Sequence, residues 1–123
     1  MIRGVHTMFY CSQAEELREF LRDKLGFDAT DVGDGWLIFD MPEADMGVHP
    51  TDPKGEVGSP NGTHAISFYC DDLEQTMAEL KAKGVEFAGE VVDEGWGLVT
   101  NMKAPGDLLL QLYQPRYTKG GGV

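Results

Sequence analysis

Residues 62–84, GTHAISFYCDDLEQTMAELKAKG, have the pattern of a complete strand–helix unit, and this unit decides the fold. Its first part is rich in residues that favour strands, and Asp71 or Asp72 is suited to cap the helix that follows. Three apolar residues then recur at helical spacing, so one side of this helix is expected to face a core. Gly84 closes the helix, because glycine readily takes the left-handed conformation found there. The three apolar residues are Leu73, Met77 and Leu80.

The chain uses the same plan earlier, in residues 4–26, GVHTMFYCSQAEELREFLRDKLG. Both segments have the order histidine, aromatic pair, cysteine, capped helix and glycine. His6 and His64 are 58 residues apart, whereas the shared Phe-Tyr-Cys recurs at an offset of 59, so the second copy has one inserted residue. A DGW motif at residues 34–36 is echoed by EGW at residues 94–96. An internal repeat of this kind predicts two modules that are built alike.

The repeat predicts an α+β fold in which each module has the order strand, helix and three strands (βαβββ). In module one, a capping box formed by Ser12 and Glu15 is expected to start the helix. Asp34-Gly35 is typical of a tight hairpin turn between two strands. The predicted strands span residues 2–11, 27–32, 36–41 and 44–49 in module one, and residues 63–70, 85–92, 96–102 and 108–113 in module two.

Length and composition fit one soluble domain. A chain of 123 residues is near the commonest domain size, and a hydrophobic content of 41% is ordinary for a globular protein. We place module one at about residues 1–50, a proline- and glycine-rich linker at about 51–61 and module two at about 62–117. Residues 118–123 form a glycine-rich tail that we expect to fray.

The charge balance disfavours some classes of partner. Ten basic and 21 acidic residues give a net charge of −11 at pH 7, whereas binding to nucleic acid requires Lys and Arg that neutralise phosphates. No apolar run is long enough to span a bilayer. Two cysteines do not make a disulfide framework, so we expect a cytoplasmic protein. The charge balance and the apolar runs lead us to expect that it binds neither nucleic acid nor membrane. The same charge suits a cationic ligand, although it also serves solubility.

The three histidines occupy related places in the two modules. His6 and His64 lie early in the first strand of each module, and His49 ends the last strand of module one. Gln111 holds the matching place in module two, where it needs a partner because an unpaired buried amide costs roughly 1–3 kcal/mol. If the modules pair about a two-fold axis, these four side chains converge. Three imidazoles and an amide oxygen are suited to a divalent transition metal such as Zn, Ni, Co, Mn or Fe.

The chain up to Pro115 resembles the vicinal oxygen chelate superfamily, which includes glyoxalase I, extradiol dioxygenases and bleomycin-resistance proteins. The resemblance rests on the double module plan, on HTM at residues 6–8 and HAI at residues 64–66, and on PGD at residues 105–107. It implies curved sheets that form a cup with helices outside, a small-molecule ligand and a homodimer. It also implies metal ligands from the first and last strands of each module, which by position are the four residues named above.

Two of those positions depart from the pattern that the resemblance implies. His49 and Gln111 stand where glyoxalase I has carboxylates. An amide does not accept a proton at neutral pH, so Gln111 is not a general base. His49 is the candidate catalytic base, because the pKa of an unperturbed imidazole lies near neutrality.

Two functions remain open at this point. The first is a glyoxalase-like metalloprotein that binds a small oxygenated substrate on the metal, with isomerase, lyase or dioxygenase-type chemistry. The second is a non-catalytic protein of the bleomycin-resistance kind that sequesters a small cationic molecule. In both, large side chains are expected to wall a pocket and stack on a planar ligand, although core packing is the simpler role for each one alone. These candidate substrate-binding residues are Met8, Tyr10, Trp36, Phe68, Trp96 and Tyr113.

Overall fold

The computed structural model describes residues 1, 6–48 and 65–117. Within these ranges the chain forms two short helices and two sheets, which confirms the predicted α+β class. The helices are α1 (Ala14–Glu19), which continues into a π-helical turn (Phe20–Lys24), and α2 (Leu73–Ala82). The strands are β1 (Asp28–Asp31), β2 (Leu37–Asp40), β3 (Ser67–Tyr69), β4 (Phe87–Asp93), β5 (Gly97–Ala104) and β6 (Leu108–Pro115). Neither helix has the length and apolar character that crossing a bilayer requires.

The strands β1 and β2 form an antiparallel hairpin in module one. Asp34 and Gly35 both have positive φ, 53° and 81°, the conformation that a tight hairpin turn of matching twist requires. Asp31 supports the turn, because its carboxylate accepts hydrogen bonds from the backbone N–H groups of Gly33 and Gly35 at 2.8 and 3.3 Å. The predicted Asp-Gly turn is confirmed.

The second sheet has four strands in the order β3-β6-β5-β4. The strand β3 runs parallel to β6, whereas β6, β5 and β4 are antiparallel neighbours. In the central pair, Met102 lies opposite Leu110 and Thr100 lies opposite Leu112. Because side chains alternate along a strand, these four residues share one face of the sheet. All four are buried, so this face belongs to the core.

Both helices contribute apolar side chains to the core on this face. The helix α1 and its π-helical turn supply Leu17, Phe20 and Leu21, and α2 supplies Leu73, which is 2% exposed. Asp72 caps α2, since its carboxylate accepts a hydrogen bond from the N–H of Gln75 at 3.0 Å. The core therefore joins residues from both modules in one cluster.

The start of α1 differs from the predicted capping box. The N-cap residue is Gln13 rather than Ser12, and no side chain makes a capping hydrogen bond. The Gln13 side chain instead reaches the turn between β5 and β6, where its Oε1 accepts a hydrogen bond from the N–H of Gly106 at 3.2 Å. The thiol of Cys11 donates to the carbonyl oxygen of Pro105 in the same turn at 3.3 Å. Contacts with the β5–β6 turn thus replace a local cap.

Two predicted strands of module one are not formed in the part of the chain that the structure describes. Residues 6–11 and 44–48 belong to neither sheet. Their β-favouring side chains are largely exposed, as shown by Tyr10 at 90% and Val48 at 95%. A strand is stabilised by hydrogen bonds to a neighbouring strand, and neither sheet of the described chain extends to these segments. Composition alone therefore did not determine the conformation here.

The buried hydroxyl of Thr100 leads to a prediction about the stability of the core. It is 2% exposed, and its hydroxyl has no hydrogen-bond partner among the described residues. Since an unsatisfied buried hydroxyl costs about 1–3 kcal/mol, we expect Thr100→Val to raise the free energy of unfolding by about 1 kcal/mol in urea denaturation. Thr30→Val, at an exposed position of β1, is the control and should change stability little. If Thr100→Val is less stable than the wild-type protein, the hydroxyl of Thr100 must have a hydrogen-bond partner, which would contradict this prediction.

Candidate ligand-binding cleft

The face of the four-stranded sheet opposite the core carries polar and aromatic side chains. In the β3–β6 pairing, Ser67 lies opposite Gln111 and Tyr69 lies opposite Tyr113. Because side chains alternate, all four residues share this second face, which we call the cleft face. The hydroxyl of Ser67 donates to Oε1 of Gln111 at 2.6 Å. The half-buried amide of β6 therefore has a hydrogen-bond partner.

A cleft of about 260 Å³ opens at the end of the cleft face, where β3 and β6 finish. Its walls come from the loop after β2, the end of β3 with the turn before α2, and the end of β6. Of the seven lining residues that the structure describes, three are acidic and none is basic, so this lining is negatively charged at neutral pH. The lining residues are Glu43, Asp45, Tyr69, Cys70, Asp71, Pro115 and Tyr117.

Tyr113 connects the aromatic side chains next to the cleft. Its ring centroid lies 5.8 Å from that of Tyr69 and 5.2 Å from that of Trp96, which it meets edge-on. Both separations lie in the favourable range for aromatic pairs. The hydroxyls of Tyr113 and Tyr117 share a hydrogen bond at 2.8 Å. We call these four residues the aromatic cluster, and two of them, Tyr69 and Tyr117, line the cleft.

The hydroxyl of Tyr113, at the centre of the cluster, holds its proton tightly. Burial raises the pKa of Tyr113 well above its usual range, and the hydrogen bond with Tyr117 and the negative charge of Asp45 add to this effect. Tyr113 is therefore neutral at physiological pH. The hydroxyl of Tyr69 donates a hydrogen bond to the carboxylate of Glu43, which ties the loop after β2 to β3.

Cys70 lies half-buried in the cleft wall. Its thiol donates to the carbonyl oxygen of Tyr113 at 3.7 Å. Burial raises the pKa of this thiol, so the thiolate that a nucleophilic cysteine requires is disfavoured at neutral pH. Cys70 therefore serves as a small packed residue of the wall, with a thiol less reactive than an exposed one. Cys70 and Cys11, its counterpart in the repeat, are both free.

The structure describes two of the four predicted metal ligands. His6 is exposed, in a segment that belongs to neither sheet. Gln111 lies on the cleft face, where its Oε1 accepts the hydrogen bond from Ser67. His49 and His64 lie outside the described residues. Within residues 6–48 and 65–117, no three His, Cys, Asp or Glu side chains are close enough together to hold a metal ion. The convergence of the four ligands stays a prediction.

The predicted pocket residues of module two separate onto the two faces of the sheet. Trp96 and Tyr113 lie together in the aromatic cluster. Phe68 instead packs against the core, with its ring centroid 5.3 Å from that of Phe27. Its neighbour Tyr69 occupies the cleft face, because successive residues of a strand point to opposite sides.

The predicted pocket residues of module one lie outside the lining of the cleft. Met8 and Tyr10 are 46% and 90% exposed. Trp36 is 50% exposed and carries the guanidinium of Arg18 over its ring, 4.8 Å from the centroid. Arg18 also donates to the carbonyl oxygen of Gly35 at 3.4 Å. Trp36 thus contributes to the contact between α1 and the β1–β2 hairpin.

The sequence prediction does not include Tyr69 and Tyr117. A signal for Tyr69 is present in the repeat, since the offset of 59 that relates the two Phe-Tyr-Cys motifs pairs it with Tyr10. Strand alternation also assigns Tyr69, rather than Phe68, to the face of Tyr113. Tyr117 follows the last strand, where no periodic pattern indicates the direction of a side chain.

Sequence comparisons place the chain among known proteins. A family model described as the Glyoxalase/Bleomycin resistance protein/Dioxygenase superfamily matches residues 3–112. Among curated proteins, the uncharacterized protein YetH of Bacillus subtilis (strain 168) is 29% identical over 109 residues. The matched region covers 84% of this chain and 91% of YetH.

Two solved structures are similar in fold. TnmS3, an antibiotic binding protein from Streptomyces sp. CB03234, has a TM-score of 0.60 and 22% identity, over 94% of this chain and 99% of TnmS3. A glyoxalase/bleomycin resistance protein/dioxygenase from Nocardioides has a TM-score of 0.57 and 18% identity, over 92% of this chain and 83% of that protein. At these identities the likeness concerns the fold. The match of the family model over most of the chain confirms the resemblance: the chain belongs to the Glyoxalase/Bleomycin resistance protein/Dioxygenase superfamily.

Proposed function

We propose that the protein binds a small aromatic cation in the cleft, as a binding protein without catalytic turnover. The observation that carries this proposal is the composition of the lining. Three carboxylates and two tyrosine side chains line a volume of about 260 Å³, and none of the described residues of the lining is basic.

A cationic aromatic ligand gains free energy from both kinds of side chain. The carboxylates attract its charge, and the faces of aromatic rings attract cations by roughly 0.5–2 kcal/mol each. The net charge of −11 favours the approach of a cation from solution. The cleft volume lies just below the range of about 300–1,000 Å³ that is typical of small-molecule sites. It therefore suits a ligand of a few fused rings, or one such portion of a larger molecule.

The family and the chemistry of the cleft support binding as the function. TnmS3, which shares the fold, is described as an antibiotic binding protein. The thiol in the cleft wall is poorly suited to nucleophilic chemistry near pH 7, because burial raises the pKa of Cys70. The homodimer and the cytoplasmic location that the sequence suggests stay predictions.

The charge requirement is tested by titration calorimetry with two molecules of the same ring system. N-methylphenanthridinium carries a permanent positive charge, and phenanthridine is neutral at pH 8. We expect the cation to bind with a micromolar Kd and the neutral molecule to bind at least about tenfold more weakly. Added salt should weaken only the binding of the cation, because salt screens exposed charges. Equal affinity for both molecules, or no binding of the cation, would contradict the proposal.

A second candidate function is binding of a small oxygenated substrate on a divalent metal held by His6, His49, His64 and Gln111. Family membership and the position of Gln111 on the cleft face favour it. A bound metal would act as a Lewis acid on an oxygen of the ligand. His49 would take up the proton that the substrate releases, either off the metal or through a bound water.

Elemental analysis separates the two functions when the protein is purified without chelator or affinity tag. A stoichiometric transition metal that is lost in His64→Ala would favour the second function. Metal-free protein that binds N-methylphenanthridinium with the expected charge preference would favour the first. Ser67→Ala separates the Gln111 amide from the binding of the cation. The variant removes the hydrogen bond to Oε1 of Gln111, and the affinity for the cation should stay within about twofold of the wild-type value.

A further inference from the structure

We propose that Asp93 and Arg116 are positioning residues of the cleft, because their ion pair fixes the part of the wall that Tyr117 forms. This inference rests on the proposed use of the cleft as a binding site. Neither Asp93 nor Arg116 lines the cleft itself.

Arg116 lies between two cleft residues, directly after β6 ends at Pro115. Its guanidinium donates two hydrogen bonds to the carboxylate of Asp93, at 2.5 and 2.8 Å. It donates a third to the carbonyl oxygen of Gly95 at 3.3 Å. The backbone N–H of Arg116 donates to the carbonyl oxygen of Trp96 at 2.8 Å. These four hydrogen bonds attach the end of β6 to the turn between β4 and β5.

The carboxylate of Asp93 also orders that turn. Its Oδ1 accepts a hydrogen bond from the N–H of Gly95 at 2.9 Å. The hydrogen bond from Arg116, with help from Gly95, holds the pKa of Asp93 below its usual range. Asp93 is therefore ionised at neutral pH, and one carboxylate joins the β4–β5 turn to the end of β6.

The residues on either side of the ion pair belong to the aromatic cluster. Trp96, in the β4–β5 turn, meets the ring of Tyr113 edge-on at 5.2 Å. Tyr117, next to Arg116 in the chain, shares the 2.8 Å hydrogen bond with the hydroxyl of Tyr113. Tyr113 itself is held in the β5–β6 ladder opposite Val99. Loss of the pair would thus loosen Tyr117, whereas Tyr113 and the backbone hydrogen bond between Arg116 and Trp96 stay in place.

The exposure of the pair indicates a geometric role. The side chains of Arg116 and Asp93 are 45% and 56% exposed, and exposed ion pairs contribute little to stability. A two-pronged pair nevertheless restricts the orientation of both groups. Arg22 and Asp23 form a pair of the same kind, 46% and 57% exposed, outside the cleft lining. Arg22→Gln is therefore a matched control for Arg116→Gln.

The first experiment needs no ligand. In a Cys11→Ser background, Cys70 is the single thiol and reports on the cleft wall through its rate of reaction with 4,4′-dithiodipyridine, a neutral reagent. We expect Arg116→Gln to raise this rate about fivefold or more, and Arg22→Gln to leave it within about twofold, with unchanged unfolding midpoints. Arg116→Lys keeps the positive charge but lacks the planar guanidinium that makes two parallel hydrogen bonds, so its labelling rate should resemble that of Arg116→Gln. Equal rates in all variants would overturn the proposal.

The second experiment measures the affinity for N-methylphenanthridinium. Arg116→Gln is expected to weaken binding about tenfold, although removal of a positive charge would by itself strengthen the binding of a cation. A loss of affinity in this variant would therefore come from the changed geometry of the cleft wall and not from the change of charge. Arg22→Gln changes the net charge equally and should keep the affinity within about twofold. Wild-type affinity in an Arg116→Gln variant with a reactive Cys70 would overturn the positioning role. If the wild-type protein does not bind the cation, the proposed function fails, and the labelling rate alone decides whether the pair positions the wall.

Discussion

Gly106→Ala is expected to lower the free energy of unfolding by about 3 kcal/mol. Gly106 has a φ of +82°, and a left-handed conformation costs a residue with a Cβ atom roughly 1–2 kcal/mol. A Cβ atom at this position would also overlap the sulfur of Cys11. Forced overlap in a packed site typically adds about 1–3 kcal/mol. Urea denaturation of the variant and the wild-type protein measures the difference.

The two contributions are separated by a matched control and a second-site variant. Gly89 has a φ of +75°, and a Cβ atom there would meet nothing within 4 Å. Gly89→Ala should therefore lose only the backbone part, about 1–2 kcal/mol. Cys11→Ala removes the overlapping sulfur, so Gly106→Ala should be less destabilising in that background than in the wild-type protein. Equal losses for Gly106→Ala and Gly89→Ala would contradict the overlap.

The double variant Asp45→Asn/Asp71→Asn is expected to weaken the binding of N-methylphenanthridinium about thirtyfold. A cation close to an exposed carboxylate gains about 1 kcal/mol from each charge in a water-like medium, and 1.4 kcal/mol corresponds to tenfold in affinity. Asparagine keeps the size of the side chain. The cap of α2 is also kept, because Asp72 provides it. Calorimetric titration of variant and wild-type protein measures the ratio.

A second pair of aspartates provides the control for that prediction. Asp28 and Asp40 lie opposite each other in the β1–β2 hairpin, are exposed and do not line the cleft. Asp28→Asn/Asp40→Asn changes the net charge by the same amount and should keep the affinity within about twofold, because salt screens distant charges. An equal loss in both double variants would show that the cation responds to the overall charge of the protein and not to the cleft.

Local sequence signals predicted much of the fold. The Asp34-Gly35 turn, the Asp72 cap and the apolar spacing of α2 each depend on residues a few positions apart, and the structure has all of them. The start of α1 was not predictable in this way. Ser12 and Glu15 have the spacing of a capping box, but the helix begins through contacts of Gln13 with a turn more than 90 residues away. Tertiary contacts override a local motif at that point.

The candidate site was less predictable, because its residues come from separate parts of the chain. Glu43 follows β2, Tyr69 ends β3 and Tyr117 follows β6. No local periodicity relates positions so far apart. The aromatic pair of the repeat suggested Phe68, which packs against the core, whereas its neighbour Tyr69 lines the cleft. The overall acidity of the chain agrees with the three carboxylates of the cleft lining, and the positive charge of the ligand stays a proposal.

The missing cap of α1 bears on how the protein forms during synthesis. The helix has six residues and the π-helical turn that continues it has five, together fewer than the 12 or so that an isolated helix needs in water. Groups that hold its start and cover its apolar side lie at residues 102–112, far later in the chain. The helix is therefore expected to become stable only after those residues have been synthesised.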